Sequence, residues 1–339
     1  MNAWILAQAF RWAPRLPEPL VRALAVLGAD VAWLVHGKGV RRLEANLTRV
    51  RPGLSRRGLR RLSHAGMRSY LRYYAEMLVQ PGLSVEQVDA RVRLVNEDWA
   101  LERLGAGQSV VAALGHLGNW DMAGGWASRN LAPTTTVAER LEPEQLFLDF
   151  LDVREKAGMR ILALGRGEGG QVFRELMRTA RRGGQFIPLL ADRDLSHSGV
   201  EVDLFGHRAR VAPGPAALTA DGKAVLCTVA ITYERLHGER RRLAGSPWGV
   251  KVAFSDPVVP DETLKGRERI HAMTQQWADR LAQAIAETPQ DWHMLQRVFV
   301  DDLDRDRDRH RNAQTTQAAP AGADTDGAEG DGDSAAEGT

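Results

Sequence analysis

Between residues 106 and 255 short apolar runs alternate with longer stretches of helical spacing. The runs at 109–114, 134–138, 160–164, 185–190, 224–233 and 249–254 have the length and β-branched content of strands, and 143–156 and 171–182 have helical composition. Strands alternating with helices predict an α/β fold with a central, mostly β-sheet layer flanked by helices. A final helix over 268–287 leads to Pro289, Trp292 and Phe299.

Upstream, 43–80 reads as helical, with Arg56, Arg57, Arg60, Arg61, Arg68 and Arg72 set against Leu59, Leu62, Met67, Leu71, Met77 and Leu78. That basic face either meets anionic headgroups or is simply solvated. Segments 4–12 and 19–36 are amphipathic and separated by Pro14, Pro17 and Pro19. The stretch 20–36 contains Arg22 and Asp30 and falls short of the ~20 apolar residues that cross a bilayer, and with no basic, apolar, small-residue pattern at the start a signal peptide is not expected. Trp- and Leu-rich segments with scattered Arg lie in the headgroup plane or pack on the body as ordinary helices. The expectation is a helical, membrane-associating segment over 1–80, an α/β domain over 81–300, and peripheral attachment.

Composition separates the tail from the rest. The 339 residues carry a net charge of +2, but positions 301–339 hold 11 acids and 4 arginines, so the body is basic. The tail has almost nothing to bury and is expected to be disordered. A single cysteine, Cys227, excludes an intrachain disulfide framework and a cysteine zinc cluster.

The candidate chemistry lies at the end of the first long strand, where Gly115-His116-Leu-Gly-Asn-Trp-Asp121 follows the apolar run. On a continuous helix five residues separate side chains by about 140°. His116 and Asp121 are therefore expected to meet across a turn built by Gly115, Gly118 and Asn119, His116 as general base and Asp121 as the carboxylate that orients it.

The context of this motif resembles the bacterial acyltransferases of glycolipids, a family that includes the lipid A late acyltransferases and the actinobacterial phosphatidylinositol mannoside acyltransferases. The resemblance spans most of residues 1–300. It rests on LEANLTRV, YLRYYAEML, GHLGNWDMAGGW, VAERLEPEQLF, LLADRDLSHSGVEVDLFG and DWHMLQRVF. It implies a membrane-associated enzyme at the cytoplasmic face of the plasma membrane. That enzyme would move a long-chain, palmitoyl-like acyl group from acyl-coenzyme A to a mannose hydroxyl of a phosphatidylinositol mannoside, with no metal and no tightly bound cofactor. Arg154 would stabilise an oxyanion or bind donor phosphates, and Glu139 would position His116 or the sugar. Glu201, Asp192 and Arg193 would meet the acceptor. His197 is a loop histidine outside this set. A lysophospholipid or another glycolipid is the alternative acceptor.

Two further readings compete. Gly165, Gly167 and Gly170 spell G-x-G-x-x-G after a strand and before a helix, with Asp192 22 residues beyond Gly170, as in a dinucleotide site. The same loop, through Arg166 and Gly167, would equally receive coenzyme A phosphates. The basic body suggests nucleic acid, but its aromatics are not interleaved with the bases as stacking platforms are, so no nucleic-acid partner is expected.

Overall fold

The computed structural model describes residues 8, 12–140, 142–165, 167–194 and 199–303. Segment 4–12, apart from Gln8 and Trp12, lies outside them, as do Arg166, the loop that holds His197, and the tail from 304. Met1–Val300 form one compact unit.

Three helices come first: α1 (Glu18–Val35), α2 (Lys38–Val50) and α3 (Arg56–Val79). The expected single helical stretch over 43–80 is therefore two helices, because Pro52 and Gly53 break it and the Ser55 side chain accepts from Gly58 N–H to start α3. Next come α4 (Val85–Arg91), opened by a reciprocal Ser84–Gln87 capping box, then β1 (Val92–Val95), α5 (Asp98–Gly105), β2 (Ser109–Leu114) and α6 (Trp120–Asn130). The chain continues through β3 (Thr135–Glu139), α7 (Glu144–Lys156), β4 (Arg160–Leu164), α8 (Gly169–Arg182) and β5 (Phe186–Leu190). It ends with the hairpin β6 (Val200–Leu204) and β7 (His207–Val211), then α9 (Gly214–Thr219), β8 (Ala224–Arg235), α10 (Gly238–Ala244), β9 (Trp248–Phe254) and α11 (Gly266–Glu287).

The central sheet has the order β1-β9-β8-β2-β5, parallel except for the β8–β9 pair. The parallel pair β3–β4 adjoins it through a bridge from Thr134 to Phe186. β2 is buried along its whole length, since helices cover both faces. Val111 and Ala113 join Ile187, Leu226, Trp277 and Leu281 on one face, while Val110, Ala112 and Leu114 join Met122, Val229 and Val250 on the other.

α3 changes character along its length. Its first turns are basic and exposed, and its last two, from Tyr73 to Val79, are buried against Leu146, Phe150 and Val153. α1 packs on it through polar ties as well as apolar ones. Asp30 accepts from Arg68 at 2.7 Å and pairs with His64 at 2.7 Å, contacts that hold its carboxyl down at about 2. The side of α1 bearing Leu20, Leu24, Leu27, Val31 and Leu34 is exposed. No described helix is long and apolar enough to cross a membrane.

Candidate active site

The His116 loop leaves β2 at its C-terminal end and enters α6 five residues later. Two glycines make the path possible. A Cβ on Gly118, at φ +55°, would lie 2.4 Å from the Ile231 carbonyl oxygen, and one on Gly115 would lie 2.5 Å from the Leu117 side chain. The C-terminal segment after α11 holds the loop from outside. Gly118 N–H donates to the Asp291 carbonyl at 3.1 Å, His293 N–H donates to the His116 carbonyl at 2.8 Å, and Leu117 bridges to Trp292. Asn119 caps α6 by accepting from Met122 N–H, and its own amide donates to Glu76 at 2.9 Å.

His116 Nδ1 lies 2.6 Å from Asp192 Oδ1. The other oxygen, Oδ2, accepts from His116 N–H at 2.9 Å and from the Trp292 indole N–H at 2.9 Å. The carboxylate is fully buried. Burial pushes its pKa up, but the charge and hydrogen bonds of His116 and the indole outweigh that, so it stays below its ordinary value. A carboxylate facing Nδ1 requires a proton on that nitrogen, which leaves the Nε2 lone pair as the acceptor. The His116 side chain is 24% exposed. It is therefore arranged as a base with one open nitrogen.

Asp121 is not the residue that orients it. Its Oδ1 accepts from Arg154 Nε at 2.6 Å, and its Oδ2 from Arg154 Nη2 at 3.2 Å and from the Tyr73 hydroxyl at 2.6 Å. It sits in the first turn of α6 and ties that helix to α3 and α7, while the glycine turn carries His116 towards the end of β5. Arg154, expected as an oxyanion or phosphate donor, is spent on this pair. Burial works against its charge, but Asp121 overrides burial and raises its pKa. Burial, reinforced by Asp121, pushes the Tyr73 hydroxyl well up.

Beneath the loop lies a polar layer that the motif reading did not identify, although the DWH segment is part of the resemblance. Glu76 is raised by burial, offset in part by donors from Asn119 and from Tyr233 at 3.1 Å. The Ser69 hydroxyl lies 2.7 Å from Asp291 Oδ1 and 2.9 Å from His293 Nε2. This Ser–His–Asp cluster has the residues of a hydrolytic triad but not its setting. All three are buried, and burial lowers His293 to about 3, with Arg72 and His116 adding to the effect. Its role is to hold the segment that frames His116.

The other expected residues divide. Arg193, next to Asp192, is half-buried and makes no ion pair among the described residues. Glu139 ends β3 with an exposed side chain and is hydrogen-bonded to neither His116 nor Asp121. The Glu201 carboxylate is held by Arg208 and by Arg210, the latter at 3.0 Å, as a strand-pairing contact of the β6–β7 hairpin. The dinucleotide reading fails on topology. β4 pairs with β3 rather than β5, the Gly165 N–H donates to the Glu168 carboxylate at 3.0 Å, and Asp192 serves His116. A carboxylate in that loop also opposes coenzyme A phosphates near Gly167, whose own φ is +81°. No group of three or more His, Cys, Asp or Glu among the described residues is placed to hold a metal.

Beside the His116 loop, between α6 and the sheet, is an apolar cavity of about 20 Å³. Leu114, Trp120, Trp126, Phe186, Val229 and Phe254 line it. Trp120 faces both sites: its ring stacks on Tyr73 at 4.2 Å and meets His116 edge-on at 5.5 Å.

The chain is similar to known proteins over most of its length. The phosphatidylinositol mannoside acyltransferase of Mycolicibacterium smegmatis is 36% identical over 300 residues, 88% of this chain and 91% of its own. The phosphatidylinositol mannoside acyltransferase of Mycobacterium tuberculosis is 35% identical over 302 residues, 88% of this chain and 89% of its own. The profile described as bacterial lipid A biosynthesis acyltransferase matches residues 1–300, and the chain belongs to that family.

Proposed function

We propose that the protein transfers a long-chain fatty acyl group, palmitoyl in length, from acyl-coenzyme A to a mannose hydroxyl of a phosphatidylinositol mannoside. The observation that carries this reading is the His116–Asp192 pair, with Nε2 open beside an apolar cavity. Nε2 takes the proton of the acceptor hydroxyl as its oxygen attacks the thioester carbonyl. The tetrahedral intermediate collapses by breaking the C–S bond, and the imidazolium returns the proton to the leaving thiolate. Asp192 keeps its negative charge throughout and stabilises the imidazolium between the two steps.

The acyl chain extends into the apolar cavity between α6 and the sheet. At about 20 Å³ the cavity has room for a single water-sized sphere, so entry of a chain requires the half-buried Trp126 and Trp120 to move outward. Arg193, next in sequence to Asp192 and without an ion pair among the described residues, meets a phosphate of the donor. The exposed apolar stripe of α1 attaches the protein to the cytoplasmic face of the plasma membrane, where the acceptor lipid lies.

The test is transfer of labelled palmitate from palmitoyl-coenzyme A to phosphatidylinositol mono- and dimannosides by wild type and His116→Ala. Label that appears in the mannoside and disappears in the variant is expected. An active His116→Ala protein removes the mechanism. A wild type that labels only a lysophospholipid changes the acceptor.

A further inference from the structure

We infer that the crevice between the end of α1, α2 and the start of α3 binds the headgroup of an anionic phospholipid whose phosphate carries a bulky cyclic polyol, at a place separate from the transfer site. The inference extends the membrane attachment proposed above. His36, Glu44, Arg56, Leu59 and Arg60 line an open crevice of about 380 Å³, the size of a small-molecule site. Arg60 and Tyr73 are 13 residues apart on α3, which puts the crevice about 20 Å along the helix from the Asp121 cluster.

Its chemistry is specific. Glu44 is saturated, accepting from Arg60 and Ser63 on one oxygen at 2.8 Å each and pairing with His36 on the other at 2.8 Å. Its charge is thus cancelled within the wall. Arg60 also lies over the Trp33 ring, its Cζ 3.9 Å from the ring centroid, and only its Nη1 is used by Glu44, which leaves the other donors for an anion. Arg56 is exposed and makes no ion pair among the described residues. Arg56 and Arg57 occupy the first turn of α3 without any acid, at a helix end that favours negative charge. A phosphodiester between Arg56 and Arg60 relieves that repulsion, and His36 at the rim, whose Nδ1 has no partner among the described residues, meets a hydroxyl of the polyol.

The apolar stripe identifies the source of the phosphate as a lipid. Leu20, Leu24, Leu27, Val31 and Leu34 follow helical spacing along α1 and run up to His36. Acyl chains beside this stripe bring their headgroup to the depth of the crevice. A free phosphate would make no use of the stripe.

Vesicle co-sedimentation of the full chain tests the inference without relying on any transfer assay. The lipids are phosphatidylcholine alone, or mixed with phosphatidylinositol or with phosphatidylglycerol at equal charge. Wild type is expected to prefer phosphatidylinositol to phosphatidylglycerol. Leu59→Trp, which fills the crevice without changing charge, is expected to abolish that preference and keep general binding to anionic vesicles. Arg56→Gln is expected to weaken binding to both anionic vesicles by about fivefold, the equivalent of ~1 kcal/mol for one charge near the surface. Leu27→Asp is expected to weaken binding to every vesicle. Wild type that treats the two anionic lipids alike, or Leu59→Trp that retains the preference, overturns the inference. So does soluble glycerophosphoinositol that binds as tightly as vesicles whether or not Leu27 is replaced, because the crevice would then be a site for a soluble anion. Acyl transfer to a detergent-dispersed acceptor is expected to be unchanged in Leu59→Trp. Failure of transfer in wild type therefore bears on the enzyme reading alone.

Discussion

Replacing Asp192 by Asn changes little in shape and reverses the tautomer of His116. The side chain at 192 faces three donors: His116 N–H and the Trp292 indole at one oxygen, the His116 ring at the other. An Asn amide must turn its carbonyl towards the first two, since an NH₂ group there would oppose two N–H groups. Its NH₂ then faces His116 Nδ1, which has to accept, and the ring proton moves to Nε2, the nitrogen that takes the acceptor's proton in the proposed transfer. The same tautomer error in a histidine-carboxylate pair costs about four orders of magnitude in kcat, or ~5 kcal/mol of barrier. The assay is initial-rate release of coenzyme A thiol in the presence of the mannoside, followed over a range of pH. The expected result is a loss of that order, with KM for either substrate little altered and no recovery at high pH, because the hydrogen bond and not the bulk proton concentration sets the tautomer. Asp192→Asn activity within tenfold of wild type would refute the reasoning, most directly if Asp121→Asn were inactive while equally stable.

Asp121→Asn is expected to act chiefly on the fold. It leaves the Arg154 guanidinium buried beside a neutral partner, at a cost of about 3–5 kcal/mol in denaturant unfolding. Ala127→Val fills the cavity beside α6 and is expected to shift donor preference towards shorter acyl chains, read from the ratio of kcat/KM across an acyl-coenzyme A series. His293 is neutral in the fold, at about 3, and ordinarily titrates near 6.5. Between those values the unfolded chain binds the additional proton, so stability is complete above pH 6.5 and falls as pH drops towards 3, by up to ~1.4 kcal/mol per pH unit. Urea unfolding at a series of pH values should show that slope, and His293→Gln should flatten it.

The parts of this fold legible in the sequence are those decided by local pattern. β2 and β4 begin and end where the apolar runs do. β1 escapes the pattern because Val92–Val95 is short and has Arg93 in it, and the β6–β7 hairpin because alternating charge resembles a ligand site more than a strand. In the hairpin Glu201 is opposite Arg210 and Asp203 opposite Arg208, so the charges are cross-strand pairs. The site was legible in its base and not in its partner. Asp121 is five residues from His116 and falls within a motif, whereas Asp192 is 76 residues away and reaches it only through strand pairing. The buried layer of Ser69, Glu76, Tyr233, Asp291 and His293 draws on α3, β8 and the C-terminal segment, so no spacing rule could join them.

Sheet register explains why the base takes its partner from a neighbouring strand. β2 and β5 are parallel, with Leu114 opposite Leu190, and Ala191 N–H extends the ladder by donating to the Leu114 carbonyl at 2.9 Å. Two residues beyond each strand, His116 and Asp192 leave the same edge of the sheet side by side, where parallel strands deliver their functional groups. A shift of one residue in that register would turn Asp192 to the other face and leave a carboxylate buried without its donors. Correct pairing of β2 with β5 and assembly of the base are therefore the same event. Asp121 works from the other end of the loop: by fastening α6 to Arg154 and Tyr73 it fixes where the loop must arrive, as register fixes where it departs. The His-x4-Asp spacing thus measures the span between two anchors, and the proposed proton transfer draws on a pair that runs across the sheet, from β2 to β5.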